Sequence, residues 1–325
     1  MNLRPLVFEL IARHRLSPTQ AQRLQQLANP SVTISPALLW RAVAGLAAGL
    51  FGLGLMMWIA ANWAGLGRLE KFSLLQTLVL ASCAGAALRP LLRAPLGMLA
   101  LFAIGGLWAY FGQTYQTGAD AWQLFALWAA LALPLCLMAR SDLVWLPWTV
   151  VTTLAISLWT HTHMAHRWEL REGQLGLHLM SFGLFASLCL LLAPNWRKHT
   201  GAGLWSLRYA LTASIAAITL AALGGLFEHI VLAQYWLGLF LLGGAVLLLG
   251  EVQFFDIFGL SAAALGCNVL LICGVARWLF DNERGNSIGI WLLLGLLAAA
   301  ALAGTVSLIL AWQRRYAANL IQEAI

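Results

Sequence analysis

Between residues 36 and 312 the chain repeats one pattern: an apolar run of about 18 residues or more with almost no charge, then a short polar break. As a helix each run is long enough to cross roughly 30 Å of hydrocarbon. In lipid no water satisfies the peptide groups, so a spanning segment is either a helix or a strand of a closed barrel. A barrel needs strands of about ten residues that alternate apolar and polar, whereas Leu237 to Gly250 is apolar on every side. The expected fold is therefore all-α, a polytopic transmembrane helical bundle. Composition agrees: 61% of the 325 residues are hydrophobic, 10% are charged, and the mean hydropathy is +0.81. Soluble domains carry roughly 25% charged residues.

The apolar runs predict about ten helices, at residues 38–60, 72–88, 94–111, 121–139, 143–160, 174–193, 206–227, 233–250, 257–279 and 288–312. Residues 1–36 read as a small cytoplasmic helical hairpin, 37–315 as the bundle and 316–325 as a cytoplasmic tail. In the hairpin, Ser17 followed by Pro18 is an N-cap with proline at the first helical position. No cleavable signal is expected, because mostly polar residues precede the first run.

Lysine and arginine set the threading. With the N-terminus inside, thirteen basic residues fall on the inner side: Arg4, Arg13, Arg15, Arg23, Arg41, Arg89, Arg93, Arg140, Arg197, Lys198, Arg208, Arg314 and Arg315. Six fall outside: Arg68, Lys71, Arg167, Arg171, Arg277 and Arg284. This bias places both termini in the cytoplasm, in a bacterial inner membrane. The net charge of +7 is then a topology signal and implies no nucleic-acid partner. Membrane lipid is the expected surrounding, and the N-terminal hairpin is where a protein partner would dock. The five cysteines fall inside predicted helices without a CxxC pair, as small core hydrophobes do.

No phosphate-binding loop, dinucleotide fingerprint, nucleophile elbow or HExxH helix occurs, so neither a cofactor nor a soluble-type active site is expected. Four polar clusters remain. In FGQTYQTGADAWQLF, residues 111–125, Asp120 caps the fourth helix with Gln123 three residues on, while Gln113, Tyr115, Gln116 and Thr117 have no equally good structural account. In the outer loop His161, His163 and His166 bring imidazoles near Glu169 and Glu172. That is a weak metal candidate, since the spacing matches no zinc motif and Arg167 and Arg171 oppose a cation. Glu228 and His229 pair a carboxylate with an imidazole at a membrane boundary, as a proton relay does, although a turn explains them equally. On the inner side Glu251, Gln253 and Asp256 form a loop without Lys or Arg, against the positive-inside trend. Asn268 is a lone polar residue in the next helix and reads as an interhelical hydrogen bond.

The run Gly112 to Ser141 resembles the signature segment of the bacterial membrane family called domain of unknown function 2157. The matching positions are Gly112, Gln113, Tyr115, Asp120, Trp122, Leu124, Phe125, Leu127, Trp128, Ala129, Leu133, Pro134, Arg140 and Ser141. Ala119 departs from the Gly-Asp usual there. The resemblance implies a multi-pass protein with a cytoplasmic N-terminal piece and brings no activity with it.

Ten helices also divide five plus five, as in inverted-repeat transporters, with Gly112 to Asp120 matching Gly250 to Asp256. The first functional reading is a transporter or flippase of a small or lipid-linked solute, with Gln113, Tyr115, Gln116, Asp120, Glu228, His229, Glu251, Gln253 and Asp256 as candidate substrate contacts. The alternatives are a non-catalytic scaffold or assembly factor and an enzyme acting at the outer surface.

Overall fold

The computed structural model describes residues 17, 20, 23, 36–61, 65–115, 118–164, 173–251, 254–282 and 287–323. Ten long helices run through it: α1 (Pro36–Ala61), α2 (Arg68–Leu88), α3 (Arg93–Tyr115), α4 (Ala121–Ala139), α5 (Asp142–His163), α6 (Leu175–Leu191), α7 (Leu204–Phe227), α8 (Ala233–Gly250), α9 (Ile257–Asn282) and α10 (Ser287–Glu323). Each expected span coincides with one of them, and no strand occurs among the described residues. Among the described residues eight helices are long and apolar enough to cross a membrane, α2 to α5 and α7 to α10. A ninth results if α6 and the segment Pro194–Thr200, bent by 49° from it, count as one span. In α1 the apolar part is the shorter Ala42–Gly54.

The ends are built from local chemistry. Glu70 Oε2 accepts from the Gly67 N–H at 2.8 Å, closing the first turn of α2. Arg140 ends α4 in the left-handed region (φ 47, ψ 42), and Ser141 then caps α5 by accepting from the Leu143 N–H at 3.4 Å. The N-terminal hairpin lies mostly outside the described residues. At its described positions Ser17 and Gln20 bond reciprocally, the Ser17 N–H to Gln20 Oε1 at 3.1 Å and the Gln20 N–H to Ser17 Oγ at 3.4 Å, which is a capping box.

Two cores share one helix. The larger packs Trp145, Trp148, Phe185 and Leu101 with Leu207 and Ala210 of α7. The smaller packs Ile215 and Ala222 of α7 with Tyr235, Leu242, Ala263 and Leu270. Indole N–H groups stitch the first core across helices. Trp128 donates to the Leu101 carbonyl, Trp148 to that of Ala129 and Trp145 to that of Thr200, each at 2.8 Å. Gly105 makes room for the Trp128 ring, which a methyl there would overlap. In hydrocarbon the polar edge of an indole needs such a partner, so these tryptophans register the helices as well as filling space.

The halves do not repeat one packing scheme. α3 is met by α1, α2, α4 and α5, whereas α8, its counterpart in a five-plus-five division, packs on α7, α9 and more lightly α6. α5 is wedged among α3, α4, α6 and α7, but its counterpart α10 packs on α9.

Candidate functional site

Consecutive antiparallel helices give the bundle two ends. One carries the α2–α3, α4–α5, α6–α7 and α8–α9 connections and most of the described arginines; we call it the arginine-rich end. At the opposite end lies GQTYQTGAD, where Gln113 and Asp120 are exposed and Gln116 falls outside the described residues. The Tyr115 ring joins an aromatic cluster, 4.7 Å from Phe111 and 6.1 Å from Phe72, with the Arg68 guanidinium 5.8 Å from its centre. Asp120 is the residue before α4, as expected, but makes no side-chain cap bond; the Gln123 N–H goes instead to the Asp120 carbonyl at 3.0 Å. These side chains are at one end of the first half, away from α8, α9 and α10.

His161 and His163 end α5, where His163 Nδ1 lies 2.8 Å from the Trp159 carbonyl and its ring is 6.0 Å from that of Trp122. His166 lies outside the described residues. Among those described, no three His, Cys, Asp or Glu side chains group as a metal site. Glu228 and His229 sit in the α7–α8 turn. Their backbone carbonyls are both clamped by Arg277 of α9, whose Nη1 donates to Glu228 at 2.7 Å and Nη2 to His229 at 3.1 Å. The Arg277 Nε–Asp281 Oδ2 pair at 3.3 Å holds the guanidinium there.

Asp256 is engaged twice. Its Oδ2 accepts the Gly259 N–H at 3.0 Å, capping α9, and Oδ1 lies 3.2 Å from Arg208 Nη2 of α7. The loop that lacks Lys and Arg in sequence thus takes its cation from another helix. Glu251 ends α8 exposed, and Gln253 is outside the described residues. Sequence reasoning passed over Asp142. Its Oδ1 accepts the N–H groups of Gly203 at 3.0 Å and Ser206 at 3.2 Å, and its Oδ2 that of Trp205 at 2.9 Å. A carboxylate at the start of α5 therefore caps α7 from more than sixty residues away. The signal was a Ser-Asp pair between two apolar runs, but its target was not local.

A concavity among the described residues lies elsewhere. α8, α9 and α10 line a cleft of about 380 Å³ whose walls are kept thin by Gly243, Ala264, Ala301 and Gly304. Gly304 and Leu308 remain exposed, so the cleft opens sideways between α8 and α10. At the arginine-rich end Trp312 packs over Gly250 and Phe255 stacks on Tyr316 at 4.7 Å. Near mid-helix on its floor, Asn268 Nδ2 donates to Thr305 Oγ1 at 2.9 Å, and that hydroxyl lies 2.8 Å from the Ala301 carbonyl. The same hydroxyl lies 3.3 Å from Asn268 Oδ1, which leaves the amide one N–H and one oxygen lone pair for another group.

No curated protein and no solved structure matches the chain. Residues 8–145 match the family described as predicted membrane protein (DUF2157), and the run Gly112 to Ser141 lies inside that matched segment.

Proposed function

We propose that the protein is a carrier or flippase of a lipid-linked or acyl-bearing solute, admitted sideways from the bilayer into the α8–α10 cleft. The observation that carries this reading is the Asn268–Thr305 pair on the floor of an apolar, laterally open cleft. An acyl chain gains contact with the glycine- and alanine-lined walls. The spare Asn268 amide capacity recognises a hydroxyl, ester or amide near the bilayer centre, where few other polar groups exist. The positive-inside rule then puts the arginine-rich end in the cytoplasm.

The test is transbilayer movement of a headgroup-labelled fluorescent phospholipid in proteoliposomes, read by dithionite quenching. The wild-type protein should raise the quenched fraction above that of protein-free vesicles. Gly304→Leu, which fills the cleft from its exposed wall, should abolish the rise while the helical content stays unchanged. Wild-type vesicles that quench like empty ones, or a Gly304→Leu protein as active as wild type, would sink the proposal.

A further inference from the structure

The α4–α5 junction at the arginine-rich end gathers cations that the protein itself leaves unpaired. Arg197 is half-buried, and its Nε and Nη2 are shielded from solvent without a hydrogen-bond partner; Arg93 Nε is in the same state. Neither guanidinium takes part in an ion pair among the described residues. A buried, unsatisfied guanidinium is costly, so native structures normally provide a counter-charge.

Both arginines stand on segments that pack against one knuckle of the chain. On α3, Arg93 lies four residues before Gly97 and so shares its face. Gly97 faces α4 and α5, since a Cβ there would sit 3.6 Å from Ala139 Cβ and 3.4 Å from Val144 Cγ2. Arg197 opens the single turn whose carbonyl accepts the Gly201 N–H at 2.8 Å. Gly201, at φ 68, abuts Arg140 so closely that no side chain fits. The next residue back, Thr200, accepts the Trp145 indole N–H at 2.8 Å. Arg93, Arg140 and Arg197 thus stand on three chain segments that meet at residues 139–142. The carboxylate at that place, Asp142, spends both oxygens on the N–H groups at the start of α7.

We infer that this knuckle is a binding site for a phosphate group, held by Arg197 and Arg93 with Arg140 at its rim. Guanidinium forks match phosphate oxygens in pairs, and several fixed cations around one spot suit a group of high charge density. The source is either the headgroup of an anionic lipid of the adjoining leaflet or a free phosphate compound. The site stands apart from the α8–α10 cleft and does not depend on what that cleft carries.

The experiment is thermal unfolding of the full-length protein in a neutral detergent with three additions: inorganic phosphate, short-chain phosphatidylglycerol and short-chain phosphatidylcholine. A dose-dependent rise in Tm of several degrees is expected with phosphatidylglycerol or with phosphate, and none with phosphatidylcholine. A rise with phosphate assigns a free ligand; a rise confined to phosphatidylglycerol assigns the lipid. Arg197→Gln should lose the rise while its ligand-free Tm stays equal or increases, because shielded N–H groups without a partner have gone. Arg140→Gly removes a rim charge where glycine suits the backbone, and should weaken the response at least several-fold without lowering the ligand-free Tm. A purely structural Arg197 would give the opposite pattern, a lower ligand-free Tm with the response intact, and that result overturns the site. No rise with either phosphate source in the wild-type protein overturns it as well.

Discussion

Asp142 and Asp256 stand at the same end of the molecule, each at the start of a helix, and each grips α7 from a different side. Asp142 holds the α7 backbone through three N–H groups, whereas Asp256 pairs with a side chain, Arg208, and spends its other oxygen on its own helix. The consequence for the surroundings differs. At the α8–α9 junction a carboxylate and a guanidinium balance each other's charge through one contact, although Arg208 Nε stays buried without a partner. At the α4–α5 junction the carboxylate is satisfied by peptide dipoles, so the nearby arginines lack their natural partner. One residue type in one position thus leaves one junction electrically closed and the other open to an anion.

The largest test of that contrast is Asp142→Ala, which orphans three N–H groups at the start of a bundle-spanning helix. We expect a loss on the order of 3 kcal/mol in micellar unfolding. Asp142→Asn keeps an acceptor oxygen and should lose clearly less. If Asp142→Ala costs no more than Asp256→Ala, the two aspartates are equivalent and the comparison breaks. Asp256→Ala removes one cap bond and one partly exposed ion pair, for an expected loss of about 1–2 kcal/mol. A double-mutant cycle between Asp256 and Arg208 should return a coupling of about 0.5–1 kcal/mol, whereas a cycle between Asp142 and Arg208 should return none. A coupling of equal size in both cycles would show that Arg208 serves the two carboxylates together. The smallest bond contribution is expected in Trp128→Phe, which loses the bond to Leu101, about 0.6 kcal/mol in line with interhelical bonds in lipid, along with the ring atoms that fill the space over Gly105. A change above about 2 kcal/mol would mean that the indole is chiefly filling space, since interhelical bonds in lipid reach at most about 1.7 kcal/mol.

Helix number and position were legible because hydrocarbon imposes a length and a charge limit on every span, and both can be counted along the chain. The position of the helix start after Asp120 was legible too, although the expected side-chain cap is not made. The polar clusters were harder to read. Asp256 looked free of cations because only its own loop was in view, while Arg208 lies 48 residues earlier. Glu228 and His229 drew attention by their side chains, yet the bonds that Arg277 makes there go to their carbonyls, which every residue has. The α8–α10 cleft had no sequence signature, since Gly243, Ala264, Ala301 and Gly304 look like the small residues found throughout the chain.

The amino-acid order alone determined that this is a helical membrane protein of about ten apolar segments with a basic bias at one end, because the bilayer acts on each segment separately. Tertiary structure alone decided which carboxylate meets which cation, which arginines are left without one, and where the bundle stays open. Those outcomes depend on pairs of groups tens of residues apart, brought together only when α7 is locked between the two halves.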